Sequence, residues 1–214
     1  MAKYVDCPDQ FSPLFSKAED IITPLFWDLK RNPEKGSITL SSERYVMYRA
    51  NSMAIALKDQ LSAVLGPGAG VVIYQIGKVT GASDARFYFE KSGIGDPALR
   101  LAMGPVIFAY GGYANVKILD DSSLSHDEDF LLVFDHPNSY EAEAQLNAGI
   151  KPQSPVDFLN AGYSAGWCSE ATGVKLETKE ITCRAMGSEQ CRFVMAPAKR
   201  LRERVKEIKA KYNL

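Results

Sequence analysis

The sequence has few of the residues on which common catalytic sites depend. Its 214 residues include only two histidines and four cysteines. It contains no nucleophile elbow of the form G-x-S-x-G, no P-loop and no dinucleotide-binding fingerprint. With only His126 and His136 available, no Ser/His/Asp order suits a hydrolase. The sequence therefore gives little support to an enzyme.

Strong net charge and long apolar runs are also missing. The formal net charge is −1, so nothing global favours nucleic acid or an anionic membrane. No run approaches the roughly 18 apolar residues that a membrane span needs, and the first residues, MAKYVDCPDQ, lack the apolar core of a secretory signal. We therefore expect a cytoplasmic protein without a membrane span or direct nucleic-acid binding, whose cysteines are metal ligands or buried more often than disulfide-bonded.

The hydrophobic residues, 46% of the chain, follow patterns of both helices and strands. These patterns predict an α+β fold, in which helices flank a small antiparallel sheet. Helices are predicted at 11–29, 50–65, 70–89, before Gly104, at 156–171 and at 197–214. Strands are predicted within 36–48, after the glycines at 111–112, at 130–134 and in a hairpin around 186–188.

The clearest local signal is the stretch KEITCRAMGSEQCRF at residues 179–193. If residues 186–188 form a three-residue loop, Cys183 lies opposite Cys191 with Cβ atoms about 4.5–5.5 Å apart. That arrangement suits two thiolates on one tetrahedral zinc, and a disulfide or two buried structural thiols also fit. Glu180 has the opposite strand parity from Cys183, so a bulge or a strand end must intervene if both bind one ion.

A resemblance to a known family is carried by two parts of the chain. The first is a C-terminal motif made of Gly162-Tyr-Ser-Ala-Gly166, Gly173, Lys179-Glu180, Cys183, Gly187 and Cys191. It resembles the 4-vinyl-reductase-type domain, and is similar to that domain's relatives in the sensory regions of phenol- and xylene-responsive transcriptional activators. The second part, GSITLSSERYVMYRANSMAIALKDQL, is similar to the start of those sensory regions, so the likeness covers roughly residues 36–196.

The resemblance implies a ligand-binding fold shared with vesicle-tethering (TRAPP-type) subunits, usually dimeric, with structural zinc in the phenol sensors. The family's glutamate and two of its cysteines fall on Glu180, Cys183 and Cys191, and its remaining cysteine ligand falls on Asp157. A carboxylate is an acceptable zinc ligand. Cys168 is the rival fourth ligand, but it lies about 16 Å farther along the predicted helix, so both cannot reach one ion. We predict Asp157.

The resemblance also places a ligand pocket. In the phenol sensors a histidine and a tryptophan hydrogen-bond the phenolic hydroxyl, and these positions fall on Phe108 and His136. The polar partner has therefore moved or gone, and we expect another apolar or aromatic ligand. Plain core packing is the alternative for each aromatic side chain, and partial surface exposure is the alternative for His136. The predicted pocket residues are Phe89, Phe108, Tyr110, Phe134, His136, Tyr140 and Tyr163.

We therefore expect a homodimeric sensor or regulatory domain that binds a small hydrophobic or aromatic molecule and carries a structural zinc. The alternatives are a carrier or accessory protein for a tetrapyrrole or another hydrophobic ligand, a reductase-like enzyme acting on such a ligand, and a scaffold like the vesicle-tethering subunits. Residues 36–196 are the expected ligand-binding domain.

The two ends of the chain have different expected roles. Residues 1–35 are predicted to form a helical dimerisation segment, because Phe15, Leu25, Phe26 and Trp27 exceed what one helix face needs. Residues 197–214 are predicted to form a charged helix with a narrow apolar stripe. That helix either packs on its own domain or links the domain to an output domain or partner protein.

Overall fold

The computed structural model describes residues 2–214, which form eight strands and seven α-helices. The strands are β1 (Val5–Asp6), β2 (Lys30–Asn32), β3 (Ser37–Leu40), β4 (Glu43–Tyr45), β5 (Val116–Ile118), β6 (Leu132–His136), β7 (Leu176–Thr182) and β8 (Cys191–Pro197). The helices are α1 (Ser12–Trp27), α2 (Leu57–Leu65), α3 (Ala69–Ser92), α4 (Pro97–Tyr110), α5 (Tyr140–Asn147), α6 (Phe158–Thr172) and α7 (Leu201–Lys211).

Five strands form a sheet at the centre of the fold, in the order β1-β5-β6-β8-β7. Its strand pairs are antiparallel except at one edge, where β1 lies parallel to β5. Strands β2, β3 and β4 form a separate antiparallel sheet. The predicted α+β architecture is confirmed, with one parallel pair that the sequence pattern did not indicate.

Helices cover both faces of the five-stranded sheet. Every residue of β6 is buried, which a strand achieves only when both of its faces are covered. Leu132 and Phe134 point to the face covered by α4 and α6, whereas Val133 points to the face covered by α7. The C-terminal helix therefore packs on its own domain. Its apolar stripe consists of Leu201, Val205, Ile208 and Tyr212.

Helices α3 and α6 touch through their backbones because glycines lie at the contact. A Cβ atom added at Gly162 or Gly166 would lie 2.0 Å from a carbonyl oxygen of α3, and one added at Gly81 would lie 2.1 Å from the carbonyl oxygen of Tyr163. Real side chains do not tolerate such distances. The G-x-x-x-G spacing in the predicted motif is thus explained by helix packing.

The helix predicted at 50–65 is divided into two parts. Residues Ser52–Ala56 form a π-helical segment, and α2 follows it. Ala54 is the buried residue of this region, so the amphipathic spacing did not identify its inward face correctly. The residues that we expected to point inward are Met53, Ile55, Ala56, Leu61 and Leu65, and all are half-buried or exposed.

Most of the apolar side chains of α1 pack against the core of the same chain. Phe15 is fully buried, and Leu25 and Phe26 pack against the main hydrophobic cluster. Of the residues on which we based a dimerisation segment, only Trp27 is strongly exposed, at 78%. The apolar surface behind that prediction is therefore mostly used within one chain, and homodimer formation stays a prediction. Within residues 2–214, no helix has the length and apolar character to cross a membrane.

Candidate metal centre and ligand pocket

The hairpin between β7 and β8 differs from the predicted three-residue loop. The two strands pair at Thr182 with Arg192 and at Glu180 with Phe193, and the register shifts between these pairs. After Thr182 the chain forms a 3-10 turn, Arg184–Met186, and Gly187 takes a positive φ of 103°. Cys183 therefore lies beyond the end of the ladder. The register shift is the irregularity that binding by both Glu180 and Cys183 required.

Three predicted metal ligands lie together at this end of the hairpin. A carboxylate oxygen of Glu180 and the Sγ atoms of Cys183 and Cys191 all lie within 4.8 Å of one another, and the three residues are buried. Both cysteines are free thiols. Thiolate sulfur and carboxylate oxygen are both ordinary zinc ligands, so this group supplies three suitable donors.

Asp157 lies beside this group, at the residue that precedes α6. It is 1% exposed, and its backbone N–H donates to Glu180 Oε2 at 2.9 Å. The hydroxyl of Ser139 donates to Asp157 Oδ1. Asp157 Oδ2 and Glu180 Oε1 have no hydrogen-bond partner among residues 2–214. We call these two atoms the open oxygens.

The acid groups of the cluster shift one another's pKa values because they are buried together. Burial raises the pKa of Asp157 to about 6, although the Cys191 thiol and Ser139 oppose this shift. Burial and the nearby Asp157 raise the pKa of Glu180 to about 11. The hydrogen bond from Cys191 lowers the pKa of Cys183 to about 5. Such a cluster keeps protons that a bound divalent cation would release.

Cys168, the rival fourth ligand, lies in a different environment. It is buried on α6 and lines an apolar cavity. Burial raises the pKa of its thiol to about 12, so it stays protonated. The described structure brings Asp157, rather than Cys168, next to the other three predicted ligands.

The cavity lies between α4, α6 and the sheet and has a volume of about 40 Å³. For comparison, an apolar cavity that binds benzene has a volume of about 150 Å³. A ring-sized ligand can therefore enter only if side chains move. The lining residues are Gly104, Pro105, Phe108, Val116, Ile118, Leu132, Phe134, Tyr163, Ser164, Trp167, Cys168 and Met195.

Three of the seven predicted pocket residues line this cavity, namely Phe108, Phe134 and Tyr163. The hydroxyl of Tyr163 donates to Asp84 on α3 at 2.9 Å, so its ring faces the cavity while its polar end is already bonded.

Three other predicted residues pack elsewhere, and their assignment to the cavity wall is a correction. Phe89 packs edge-on against Trp167. Tyr110 stacks on Phe26 and donates its hydroxyl to Thr23. Tyr140 contacts Tyr113. Core packing, the alternative considered for each aromatic residue, is what these three do.

His136 is fully buried at the end of β6, which contradicts the alternative of partial surface exposure. Its ring centroid lies 5.3 Å from that of Phe108, 5.2 Å from that of Phe134 and 4.5 Å from that of Phe193. Neither ring nitrogen has a hydrogen-bond partner within the described part of the chain. Burial lowers its pKa to about 3, so the imidazole is neutral. His136 thus adjoins two residues of the cavity wall.

Our sequence analysis missed the other wall residues. Trp167 follows Tyr163 by four positions on α6, and this helical spacing places both on one face. Val116 and Ile118 on β5 alternate in the same way as Leu132 and Phe134 on β6. These periodicities were available in the sequence, but ordinary core residues show the same ones.

Comparisons with known proteins match both parts of the chain. The family model of the 4-vinyl-reductase-type domain matches residues 139–197. The chain carries a domain of this type. Ahead of it, residues 25–122 match the family described as activator of aromatic catabolism. The predicted resemblance is thereby confirmed.

The curated and solved relatives are distant in sequence. The phenol regulator MopR of Acinetobacter guillouiae is 23% identical over 180 residues, which are 84% of this chain and 31% of MopR. The chain thus spans about a third of that relative's length. The phenol-responsive sensory domain of the transcription activator PoxR, solved with phenol, is 24% identical with a TM-score of 0.73, over 90% of this chain and 96% of that one. The fold of this chain is therefore that of a sensory domain.

Two other solved structures show weaker likeness. A trafficking protein particle complex subunit 3 from Naegleria fowleri, covalently bound to palmitic acid, is 11% identical with a TM-score of 0.47, over 69% of this chain and 93% of that one. A vinyl-4-reductase family protein from Methanocaldococcus jannaschii is 13% identical with a TM-score of 0.44, over 88% and 94% of the two chains. Both are too distant to assign a role to any residue.

Proposed function

We propose that this chain is a sensory domain that binds a small, uncharged aromatic or apolar molecule between α4, α6 and the sheet. The observation that carries the proposal is His136, a fully buried imidazole whose two nitrogens have no partner within residues 2–214. Leaving a buried polar group unpaired costs about 1–3 kcal/mol. A ligand that hydrogen-bonds His136 would recover this free energy on binding.

The chemistry of the wall restricts the ligand further. The cavity-lining residues are apolar, aromatic or small, and none of them carries a formal charge. A charged ligand would therefore lose its hydration without gaining a counterion. The neutral imidazole offers one donor and one acceptor, so a hydroxyl or a carbonyl on the ligand is a suitable partner.

The small volume favours a sensor over a carrier. A tetrapyrrole is many times larger than the cavity of about 40 Å³. A single-ring ligand would have to displace rings of the wall, among them Phe108 on α4 and Tyr163 on α6. Because the Tyr163 hydroxyl is bonded to Asp84, a displaced ring would also disturb α3. Ligand binding is then coupled to a movement of helices, which is what sensing requires.

We further propose a structural zinc held by Asp157, Glu180, Cys183 and Cys191. Support comes from the two thiols within 4.8 Å of the Glu180 carboxylate and from the two open oxygens beside them. Four protein ligands fill a tetrahedral site, so the ion would stabilise the fold and leave no position for catalytic water. It would tie the start of α6 to the β7–β8 hairpin.

The cellular setting stays part of the proposal. We place the protein in the cytoplasm, where its four free cysteines would remain reduced. A homodimer, and an output domain or partner reached through α7, are expected from the sensor role. They await measurement of subunit number and of the neighbouring sequence.

Thermal unfolding with four probe classes tests the binding proposal. We expect benzaldehyde, which is neutral and carries one acceptor, to raise the melting temperature more than toluene, and benzoate to have no effect. Hexanoic acid serves as a charged, acyclic control. Stabilisation by benzoate comparable to that by benzaldehyde would contradict a neutral site, and equal effects of toluene and benzaldehyde would exclude His136 as the polar partner.

A further inference from the structure

Ser139 occupies the residue before α5 but uses its hydroxyl elsewhere. A serine in this position commonly accepts a backbone N–H of the following helix turn. In the described part of the chain the Ser139 side chain makes no such capping bond. Its hydroxyl donates to Asp157 Oδ1, and its Oγ accepts a hydrogen bond from Asn160 Nδ2 at 3.0 Å. All three residues are buried, with exposures of 0–1%.

The order of these bonds fixes the direction of the Ser139 hydroxyl. Because Asn160 supplies the hydrogen that Ser139 Oγ accepts, the hydroxyl hydrogen is free to point at Asp157. Asp157 Oδ1 is thereby engaged, and Oδ2 is left as an open oxygen. Glu180 is arranged in the same manner, since its Oε2 accepts the Asp157 N–H and its Oε1 is the other open oxygen. Each carboxylate is held at one oxygen and free at the other.

We propose that Ser139, itself held by Asn160, is a positioning residue that orients Asp157 as the fourth ligand of the zinc site. This inference rests on the zinc site proposed above. Asp157 lies outside the group of three donors that are mutually within 4.8 Å, so its orientation decides whether it reaches the ion. Hydrogen bonds from outside the ligand set commonly hold metal-binding carboxylates, and their loss weakens metal binding about 10–100-fold.

The role of Ser139 differs from that of a residue that only supports the fold. A fold-supporting residue matters whatever side chain occupies position 157. A positioning residue for the carboxylate matters only while an oxygen ligand is present there. A cysteine at position 157 would bind through one sulfur, which needs no second atom to be held in place. Ser139 should therefore become dispensable in an Asp157→Cys background.

The test is a double-mutant cycle on the full 214-residue chain. The four proteins are the original chain, Ser139→Ala, Asp157→Cys and the double variant, and each zinc affinity is measured by competition with a chromophoric chelator. We expect Ser139→Ala to weaken zinc binding about 10–100-fold in the original chain. In the Asp157→Cys background we expect it to change the affinity by less than about threefold, close to the error of additive sites.

Cobalt substitution provides a second readout that a purely structural role would not change. The original chain should show the charge-transfer intensity of two thiolates, and Asp157→Cys should add that of a third. If Asp157→Cys does not fold, Asp157→Asn replaces it in the cycle. Ser139→Ala should then have little further effect in the Asp157→Asn background, because the amide is a poor zinc ligand.

The outcomes separate this inference from the proposal beneath it. Absence of zinc and cobalt binding by the original chain would overturn the zinc site itself. Tight zinc binding with an equal loss from Ser139→Ala in both backgrounds, or with no loss in either, would leave the zinc site standing and overturn the positioning role. A loss confined to the background with Asp157 would support it.

Discussion

The ring of His136 lies 5.3 Å from the ring of Phe108, with a cavity wall formed on one side by Phe108 and Phe134. The resemblance to phenol sensors assigns the two partners of the phenolic hydroxyl to these positions. Their proximity agrees with that assignment, but the chemistry is exchanged, because the helix position is apolar and the strand position holds an imidazole. The polar side of the pocket has thus moved from α4 to β6.

The first prediction concerns His136 itself. His136→Phe removes the two unpaired nitrogens and keeps an aromatic ring in an aromatic environment. We expect the affinity for a neutral polar aromatic such as benzaldehyde to fall by about 1–3 kcal/mol, while the stability of the ligand-free protein is unchanged or higher. Calorimetry and urea unfolding measure the two quantities. His126→Phe, in an exposed loop, is the control, and an equal loss of affinity there would contradict the assignment.

The second prediction concerns phenol. Because Phe108 removes one of the two hydroxyl partners that the resemblance implies, we expect phenol binding to be weak or absent. The double variant Phe108→His, His136→Trp restores both residue types and should gain phenol affinity. Calorimetry with both proteins is the measurement. Micromolar affinity of the original chain for phenol would show that His136 alone is a sufficient partner.

The fold could be predicted further than the site, and the reasons are physical. Helices such as α3 and strands such as β3 bury a regular pattern of side chains, so their periodicity is visible in the sequence. The burial of His136 is not periodic, since a single polar residue at a strand end gives no repeating signal. The prediction of surface exposure therefore followed the average behaviour of histidine, and it was wrong.

The hairpin shows the same limit at the level of backbone. The turn around Gly187 was predicted correctly, but the loop is longer than three residues because the strands end at Thr182 and begin again at Cys191. The need for a bulge beside Glu180 could be deduced from strand parity, and the structure has one. Its effect on the spacing of the thiols could not be deduced, since that depends on the 3-10 turn between them.

The third prediction concerns zinc content. Protein purified without chelators should carry about one zinc per chain, measured by elemental mass spectrometry, and removal of the metal should lower the melting temperature. Cys183→Ser should abolish the zinc and destabilise the fold. Cys7→Ser, at a half-buried position near the N-terminus, should do neither. Metal-free protein with undiminished stability would contradict the proposed site.

The fourth prediction concerns the contact between α3 and α6. Gly166→Ala would place a Cβ atom 2.0 Å from the carbonyl oxygen of Lys78, so the helices must separate. We expect a loss of about 3 kcal/mol or more in urea unfolding, at the upper end of overpacking effects. Gly95→Ala is the control, because an added Cβ there meets nothing within 4 Å. A loss below about 0.5 kcal/mol for Gly166→Ala, the range of ordinary surface substitutions, would contradict close backbone contact.

The fifth prediction concerns α7, for which the sequence allowed either packing or linkage. Ile208 is 4% exposed and packs with Val133 and Val194 on the outer face of the sheet. Ile208→Ala should therefore lower the free energy of unfolding by about 2–4 kcal/mol, whereas Lys206→Ala, on the exposed face, should lie within about 0.5 kcal/mol of the original.

Removal of α7 extends the same argument. From the sequence we expected a chain ending at Lys199 to stay folded, but the structure revises that expectation. Truncation would expose the apolar outer face of β6 and β8, which α7 covers through Ile208 and its neighbours. We now expect the truncated chain to aggregate or to unfold at lower urea concentration. Light scattering and urea unfolding would detect this, and an unchanged midpoint would mean that α7 is a linker whose packing contributes little to the domain.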